Sequence, residues 1–220
     1  MKRASPSRRS PADTRHALLA AGTRLFAERG FDGASVEAIA RLAKANKAMI
    51  SYYFGGKEGL YRTILAETFE PVLKKMEALR QVSRPAPELL QAFIFYFAEM
   101  VEHHPDLPAM LLREVLSGGR HLDAKALHYF LSLFAAVREI LEAGVRQKSF
   151  RAVDPFLTHL SVIGGLVFFF ATHPLRERLA REGRLPVKLP KPDAYVHHFA
   201  LLMTRALKRE GAAPASWIRR

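Results

Sequence analysis

The segment from Ser35 to Gly56, "SVEAIARLAKANKAMISYYFGG", constrains the fold more than any other part of the chain. Apolar residues at three- and four-residue spacing predict a short helix with one buried face and Ser35 as its N-cap: Val36, Ile39, Ala40 and Ala43. The tight turn "AKAN" follows, and Asn46 is a suitable N-cap for another helix, from Lys47 to Phe54, which Gly55-Gly56 ends. Two short helices joined by a tight turn indicate a helix-turn-helix.

The flanking residues complete this unit. Asp13 or Thr14 is a suitable N-cap for a preceding helix with an apolar face, Gly30 suits its left-handed end, and Phe31 can fold back on the last turn. A fourth helix is predicted from Lys57 to about Arg80. We therefore predict a flexible basic arm over residues 1–12, whose Arg8 and Arg9 could enter a minor groove, and a DNA-binding domain over residues 13–60.

The outward face of the third helix predicts the DNA contacts. Ile50 and Phe54 lie four residues apart and should face the core. Small or long side chains in the first turn suit base edges, as for Lys47 and Met49, and later hydroxyls and cations suit phosphates, as for Tyr52, Tyr53 and Lys57. The predicted DNA-binding residues are Ser35, Glu37, Lys47, Ala48, Met49, Ser51, Tyr52, Tyr53 and Lys57. The alternative is that "YYF" is plain core and the lysines form a solvated face.

Charge supports a polyanionic partner. The net charge is +13, and residues 1–60 carry eleven Lys and Arg against five Asp and Glu, an excess of six. Nucleic acid and an anionic membrane both fit this charge. The longest apolar run, Val162 to Ala171, is far shorter than the ~20 residues that span a bilayer, and no secretory signal is evident. With no cysteine in the chain, disulfides and thiolate metal sites are excluded, and we expect a cytoplasmic protein.

Residues 13–65 resemble the TetR/AcrR family of transcriptional regulators, through "LFAERGFDGAS", the "IA" of the second helix and "YYFGGKEGLY". The departures are Lys44 for the usual turn glycine, Asn46 for the usual serine cap, Ala48 for a frequent glycine, and an aromatic displaced beyond Ser51. They leave open which tyrosine holds a phosphate. The resemblance implies an all-α protein: an N-terminal three-helix helix-turn-helix DNA-binding domain and a larger C-terminal helical domain, residues 61–220, for ligand binding and dimerisation.

Residues 66–220 contain further apolar helical patterns and no strand pattern or repeat. The predicted helices cover residues 88–101, 110–115 and 127–145, a segment from Asp154-Pro155 to about His173, where Pro174 interrupts or ends it, and residues 195–208. The candidate ligand-binding residues are Phe93, Phe97, Met100, Met110, Arg113, Glu114, Tyr129, Phe134, Phe168 and Phe169. Aromatic and Met side chains at helical spacing are more often plain core than ligand contacts. Arg113 and Glu114 are the polar candidates, with an exposed or mutually paired surface couple as the alternative.

The family resemblance implies a dimerising four-helix bundle made by the last two long helices. Gly164 and Gly165 would let two helices approach closely, and with Phe199 and Met203 they form the predicted dimer interface. The alternative is that these glycines lower helix stability near a bend.

Metal and enzyme functions receive little support. His103-His104 and His197-His198 are adjacent pairs that project about 100° apart on a helix, and Glu99 with His103 gives only two ligands. There is no Gly-rich phosphate loop, G-x-S-x-G or H-E-x-x-H motif. We therefore predict no metal, no cofactor and no enzymatic activity.

The preferred function is a homodimeric repressor that binds a pseudo-palindromic double-stranded DNA operator and is released by a small, largely apolar effector, with no membrane partner. The alternative is a basic helical protein that binds DNA or a membrane surface without sequence preference.

Overall fold

The computed structural model describes residues 10–81, 84–185 and 188–209 of the chain. The prediction of an all-α fold is confirmed, since regular structure in this part consists of ten helices, with one isolated backbone bridge between Phe150 and Lys208. The helices are α1 (Pro11–Gly33), α2 (Val36–Ala43), α3 (Ala48–Phe54), α4 (Lys57–Arg80), α5 (Ala86–His103), α6 (Leu107–Leu116), α7 (Ala124–Arg146), α8 (Pro155–Ala171), α9 (His173–Arg181) and α10 (Pro192–Leu207).

Helix α1 begins earlier than predicted. Ser10 is the N-cap, and its Oγ accepts from the Asp13 backbone N–H at 3.1 Å while the Asp13 carboxylate accepts from the Ser10 N–H at 3.3 Å. The assignment of the cap to Asp13 or Thr14 was wrong, because serine followed by Pro11 in the first turn is the stronger start signal. Pro11 and Ala12 are therefore helical rather than part of an arm. Residues 1–9, with the proposed minor-groove residues Arg8 and Arg9, lie outside the described residues.

Helices α1 to α3 pack into a small core around the apolar faces that the sequence predicts. Phe26, Ile39 and Ile50 are buried there. Gly30 breaks α1 with a left-handed φ of 74°, and Phe31 folds back to stack on Phe26 with ring centroids 5.6 Å apart, as predicted.

Helix α4 has the predicted limits and joins the two halves of the chain. It contacts α1 and α3 as well as α5 and α7. At its start, an added Cβ on Gly59 would lie 1.7 Å from the Phe54 carbonyl oxygen, so α3 and α4 can approach this closely only with glycine there. The position of α3 is thereby fixed relative to α4.

The apolar segment predicted to reach about His173 consists of two helices. Helix α8 ends at Ala171, and Pro174 lies in the first turn of α9, a position that suits proline because it needs no backbone N–H donor. No helix in the described part is by itself long and apolar enough to cross a membrane; α8 and α9 reach that length only together, across a bend of 43°.

Candidate nucleic-acid interface and domain junction

The turn between α2 and α3 is built by local capping contacts. Ser35 Oγ accepts from the Ala38 backbone N–H at 3.1 Å, which confirms it as the cap of α2. Lys44 adopts a left-handed φ of 52°, and its N–H donates to the Ala40 and Arg41 carbonyls. Asn46 Oδ1 accepts from the Ala48 N–H at 2.9 Å, but α3 begins one residue later than predicted, with Lys47 and not Asn46 as its N-cap. These contacts fix the angle between α2 and α3.

The outward face of α3 carries most of the predicted DNA-binding side chains. Lys47, Ala48 and Ser51 are exposed and Tyr52 is 76% exposed, while Ile50 is completely buried. Tyr52 at this exposure excludes the alternative that all of "YYF" is core. Met49 and Tyr53 are half-buried, and the Tyr53 hydroxyl donates to the Pro11 carbonyl at 3.2 Å.

Two cations of this surface have partners within the chain. Lys47 Nζ lies 3.4 Å from Glu37 Oε1, which joins the first turns of α2 and α3. A hydrogen bond from its own backbone amide, followed by the contact with Lys47, holds the pKa of the Glu37 carboxyl below its usual value. Lys57 Nζ lies 4.3 Å from the centroid of the Phe31 ring, at the start of α4. Ser35 lies at the corresponding start of α2.

A buried polar cluster lies where α1, α4 and α6 meet. Glu114 is only 3% exposed, and it accepts from the Tyr61 hydroxyl and from the His121 backbone N–H, both at 2.9 Å. It is therefore not part of an exposed surface couple. Its neighbour Arg113 donates from Nε to the Ala27 carbonyl at 2.6 Å, near the end of α1. We call Phe31, Asp32, Tyr61, Glu114 and His121 the domain junction.

A cavity of about 340 Å³ opens beside the domain junction. It is lined by the end of α1, Tyr61, α6 and the connection to α7, and it includes Met110, Arg113 and Glu114 of the ten ligand-binding candidates. Burial, followed by the charge of Glu114, raises the pKa of the Tyr61 phenol well above its usual value. Tyr61, Asp32 and His121 are junction residues that the sequence does not predict, because no periodicity or motif connects three positions so distant along the chain.

The structure distributes the other seven ligand-binding candidates over several places. Phe93 and Phe97 are buried in the core with ring centroids 6.4 Å apart, and Met100 lines a cavity of about 180 Å³ between α4 and α5. The Tyr129 hydroxyl donates to Glu70 at 2.8 Å. The remaining three lie on α7 and α8: Phe134 contacts Phe156 and His159, Phe168 is 64% exposed, and Phe169 stacks on Tyr195.

The four dimer candidates lie in two different environments. Gly164 is exposed on α8, with open space around an added Cβ. An added Cβ on Gly165 would lie 2.7 Å from the Phe199 ring, so the close approach that this glycine permits is between α8 and α10 of one chain. Phe199 is buried and Met203 half-buried. The exposed surface of α8 and α10 carries six large apolar side chains: Phe156, Leu157, Leu160, Phe168, Leu201 and Leu202.

Within residues 10–81, 84–185 and 188–209, no three histidine, aspartate or glutamate side chains are grouped so that they could hold a metal ion.

Comparison with known proteins identifies the family. The model described as "Bacterial regulatory proteins, tetR family" matches residues 18–64, and the one described as "Tetracyclin repressor-like, C-terminal domain" matches residues 85–184. The HTH-type transcriptional repressor NicS of Pseudomonas putida is 30% identical over 201 residues, which cover 89% of this chain and 93% of NicS. The chain belongs to the TetR family. As a TetR-family protein it is a DNA-binding transcription regulator and not an enzyme.

Further relatives agree with this assignment. The probable HTH-type transcriptional regulator YttP of Bacillus subtilis is 30% identical over 139 residues, covering 62% of this chain and 67% of YttP. Two solved structures share the fold of this TetR-family chain at low identity. The ketosteroid transcriptional regulator KstR2 of Mycobacterium tuberculosis has a TM-score of 0.71 at 16% identity, covering 94% of this chain and 100% of KstR2. The TetR family transcriptional regulator PfmR of Thermus thermophilus has a TM-score of 0.66 at 23% identity, covering 87% of this chain and 99% of PfmR.

Proposed function

We propose that this TetR-family regulator is a homodimeric repressor that binds a pseudo-palindromic operator and is released by a small effector. The observation that carries the proposal is the exposed apolar surface of α8 and α10, of which Phe168 at 64% and Leu157 at 62% are the most exposed members. Exposed apolar surface formed by several large side chains is typical of a protein interface. Gly164 lies on the same helix and leaves space for a partner's side chain. The relative NicS is named a transcriptional repressor, and this supports repression rather than activation.

In the proposed complex, α3 of each protomer enters the major groove. Lys47 and Met49 would meet base edges, whereas Tyr52 and Lys57 would hold phosphates, and Tyr53 would have to release the Pro11 carbonyl to do so. Dimer symmetry would place the two α3 helices on half-sites about one turn of DNA apart, ~34–36 Å. With a DNA operator as its partner, we expect the protein in the cytoplasm.

The effector is proposed to bind where the two halves of the chain meet, in the cavity that Tyr61 and α6 line together with the end of α1. The junction cavity, at about 340 Å³, has the size of small-molecule sites and includes Met110, Arg113 and Glu114. The sequence favours a largely apolar effector, and Met110 and Leu116 supply apolar lining here. Occupation of this cavity would act on Tyr61 and on the end of α1. An effector that binds better to a dimer with misplaced α3 helices would release the operator.

The test combines selection of DNA with the oligomeric state. Purified protein is used to select sites from a random double-stranded DNA pool, and mass in solution is measured by light scattering for the wild type, Phe168→Glu and Leu42→Glu. We expect the selected DNA to contain an inverted repeat. We expect only Phe168→Glu to give monomers, because Leu42 is exposed on α2, away from the apolar surface of α8 and α10. Unselected DNA would instead support a basic protein without sequence preference. A dimeric Phe168→Glu variant would exclude the α8–α10 interface.

A further inference from the structure

His121 lies between two carboxylates that belong to different halves of the chain. Its Nδ1 lies 3.1 Å from Glu114 Oε2 on α6, and its Nε2 lies 3.2 Å from Asp32 Oδ1 at the end of α1. The His121 side chain is 15% exposed and Glu114 is 3% exposed, whereas Asp32 is 72% exposed. One imidazole ring therefore connects a buried acid of the C-terminal half with a surface acid of the DNA-binding half.

Each of the two carboxylate contacts of His121 needs a hydrogen-bond donor. An ionised carboxylate only accepts hydrogen bonds, and a neutral imidazole has one donor nitrogen and one acceptor nitrogen. Both ring nitrogens of His121 face carboxylate oxygens, and a neutral ring can donate to only one of them. Both contacts are hydrogen bonds only when His121, Glu114 and Asp32 together hold one proton more than a neutral imidazole and two carboxylates. The imidazolium form of His121 meets this requirement, and the contacts are then charge-assisted.

The ring also packs against the DNA-binding half. Phe31 stacks on His121 with centroids 4.5 Å apart and ring planes at 25°, and the other residues around Phe31 are Phe26, Tyr61 and the ammonium of Lys57. Phe31 and Asp32 follow Gly30 directly, where α1 is broken, and Lys57 begins α4 after the Gly55-Gly56 break that ends α3. The position of the His121 ring is thus coupled to both ends of the helix-turn-helix.

We propose that His121 is a positioning residue that holds the DNA-binding helices against α6, and that it does so as an imidazolium. Loss of the additional proton would leave at least one carboxylate contact without a donor, and the end of α1 would then be held less firmly against α6. The operator affinity of the dimer should therefore decrease as pH rises, since both α3 helices must keep their relative position to meet two half-sites.

The other charged groups around the ring do not supply this pH dependence. Arg120 lies 3.8 Å from Asp32, Arg29 and Arg113 line the adjoining cavity, and Lys57 lies over Phe31. Arginine and lysine side chains ordinarily keep their charge between about pH 5.5 and 8.5. The raised pKa of Tyr61 keeps its phenol neutral over that range.

The first test measures the proton directly. Nitrogen-15 NMR of the histidine rings is recorded on the full-length protein at pH 7.5, and the His121 signals are assigned by their loss in His121→Gln. We expect two protonated ring nitrogens in the wild type. A neutral His121 ring in the wild type at pH 7.5 would overturn the proposal. This measurement uses no DNA, so its result is separate from that of the proposed function.

The second test measures the effect on DNA binding and rests on the proposed operator. Affinity for the selected inverted repeat is measured from pH 6.5 to 8.5 at constant ionic strength for the wild type, His121→Gln and His128→Gln, the last an exposed histidine on α7. We expect a loss of about threefold or more in the wild type and in His128→Gln, and a flatter profile in His121→Gln. Equal pH profiles in all three proteins would contradict a role for His121 in positioning the DNA-binding helices.

Discussion

Tyr61 on α4 donates a hydrogen bond to Glu114 on α6, with 2.9 Å between the hydroxyl oxygen and Oε2. Both side chains are buried, at 3% exposure each. Because α4 begins directly after the Gly55-Gly56 break that ends α3, this bond joins the helix behind the DNA-binding surface to the C-terminal half of the chain. Glu114, which the sequence predicts as a ligand-binding residue, thus has a hydrogen-bond partner within the fold.

Removal of the Tyr61 hydroxyl should destabilise the protein. Tyr61→Phe leaves a buried carboxylate with one donor fewer, and hydrogen bonds to charged groups contribute about 1.5–3 kcal/mol. We expect the free energy of unfolding in urea to decrease by roughly that amount. Tyr129→Phe is the matched control, since its hydroxyl donates to Glu70, whose side chain is 48% exposed, and a smaller loss is expected there. Equal losses in the two variants would show that burial of Glu114 does not set the effect.

Substitution of Gly59 should displace α3 from α4. In Gly59→Ala the new Cβ would lie 1.7 Å from a backbone oxygen, which side-chain rotation cannot relieve. We expect a loss of stability of about 1–3 kcal/mol or more in urea unfolding, together with weaker DNA binding. Gly164→Ala is compared in the Phe168→Glu background, so that the proposed dimer contact does not contribute. There the added Cβ meets open space, and the variant should be neutral or more stable by up to about 1 kcal/mol. A Gly59→Ala protein as stable as the wild type would mean that the contact between α3 and α4 is not as close as described.

Replacement of Lys44 by glycine should stabilise the protein. Lys44 has a φ of 52°, in the left-handed region that costs residues other than glycine about 1–2 kcal/mol. The flexibility of glycine in the unfolded chain offsets part of this, so Lys44→Gly should gain about 0.5–1 kcal/mol in urea unfolding. Lys148 has a φ of 58° after α7, and Lys148→Gly is the matched control. Both should gain stability, but only Lys44→Gly removes an exposed cation from the turn before α3, so it alone should lower DNA affinity. A stability loss at both positions would rule out backbone strain as the dominant effect.

Lys57 and Met49 should affect DNA binding in different ways. Lys57→Ala should weaken binding to all sequences and reduce the salt dependence by about one phosphate contact per protomer. Met49→Ala should change the preference among operator sequences and leave the salt dependence unchanged. The measurement is affinity for the selected repeat and for single-base variants at several salt concentrations. Because Lys57 also contacts Phe31, urea unfolding is measured in parallel. An unchanged affinity and salt slope in Lys57→Ala would refute its phosphate role.

The local signals of the helix-turn-helix were sufficient to predict it from sequence. Ser35, Asn46 and the Gly55-Gly56 break each act on neighbouring backbone groups, so their effects are readable within a few residues. The predicted start of α1 is wrong by a few residues. Ser10 and Asp13 form a two-sided cap, and Asp13 belongs to the first turn of the helix while Ser10 is the N-cap. The sequence does not decide whether the helix after Asp154 ends at Pro174 or continues beyond it, since proline in an apolar run marks either an interruption or an end.

The sequence by itself determined the all-α fold, the helix-turn-helix and the outward face of α3, because helical periodicity and capping are local properties of the chain. Only the tertiary structure decided which residues meet across the fold. It brings Asp32, Tyr61, Glu114 and His121 together at one junction, and it places Gly165 against Phe199 within a single chain. These contacts join residues far apart in sequence, and their geometry depends on how whole helices pack, which no local pattern specifies.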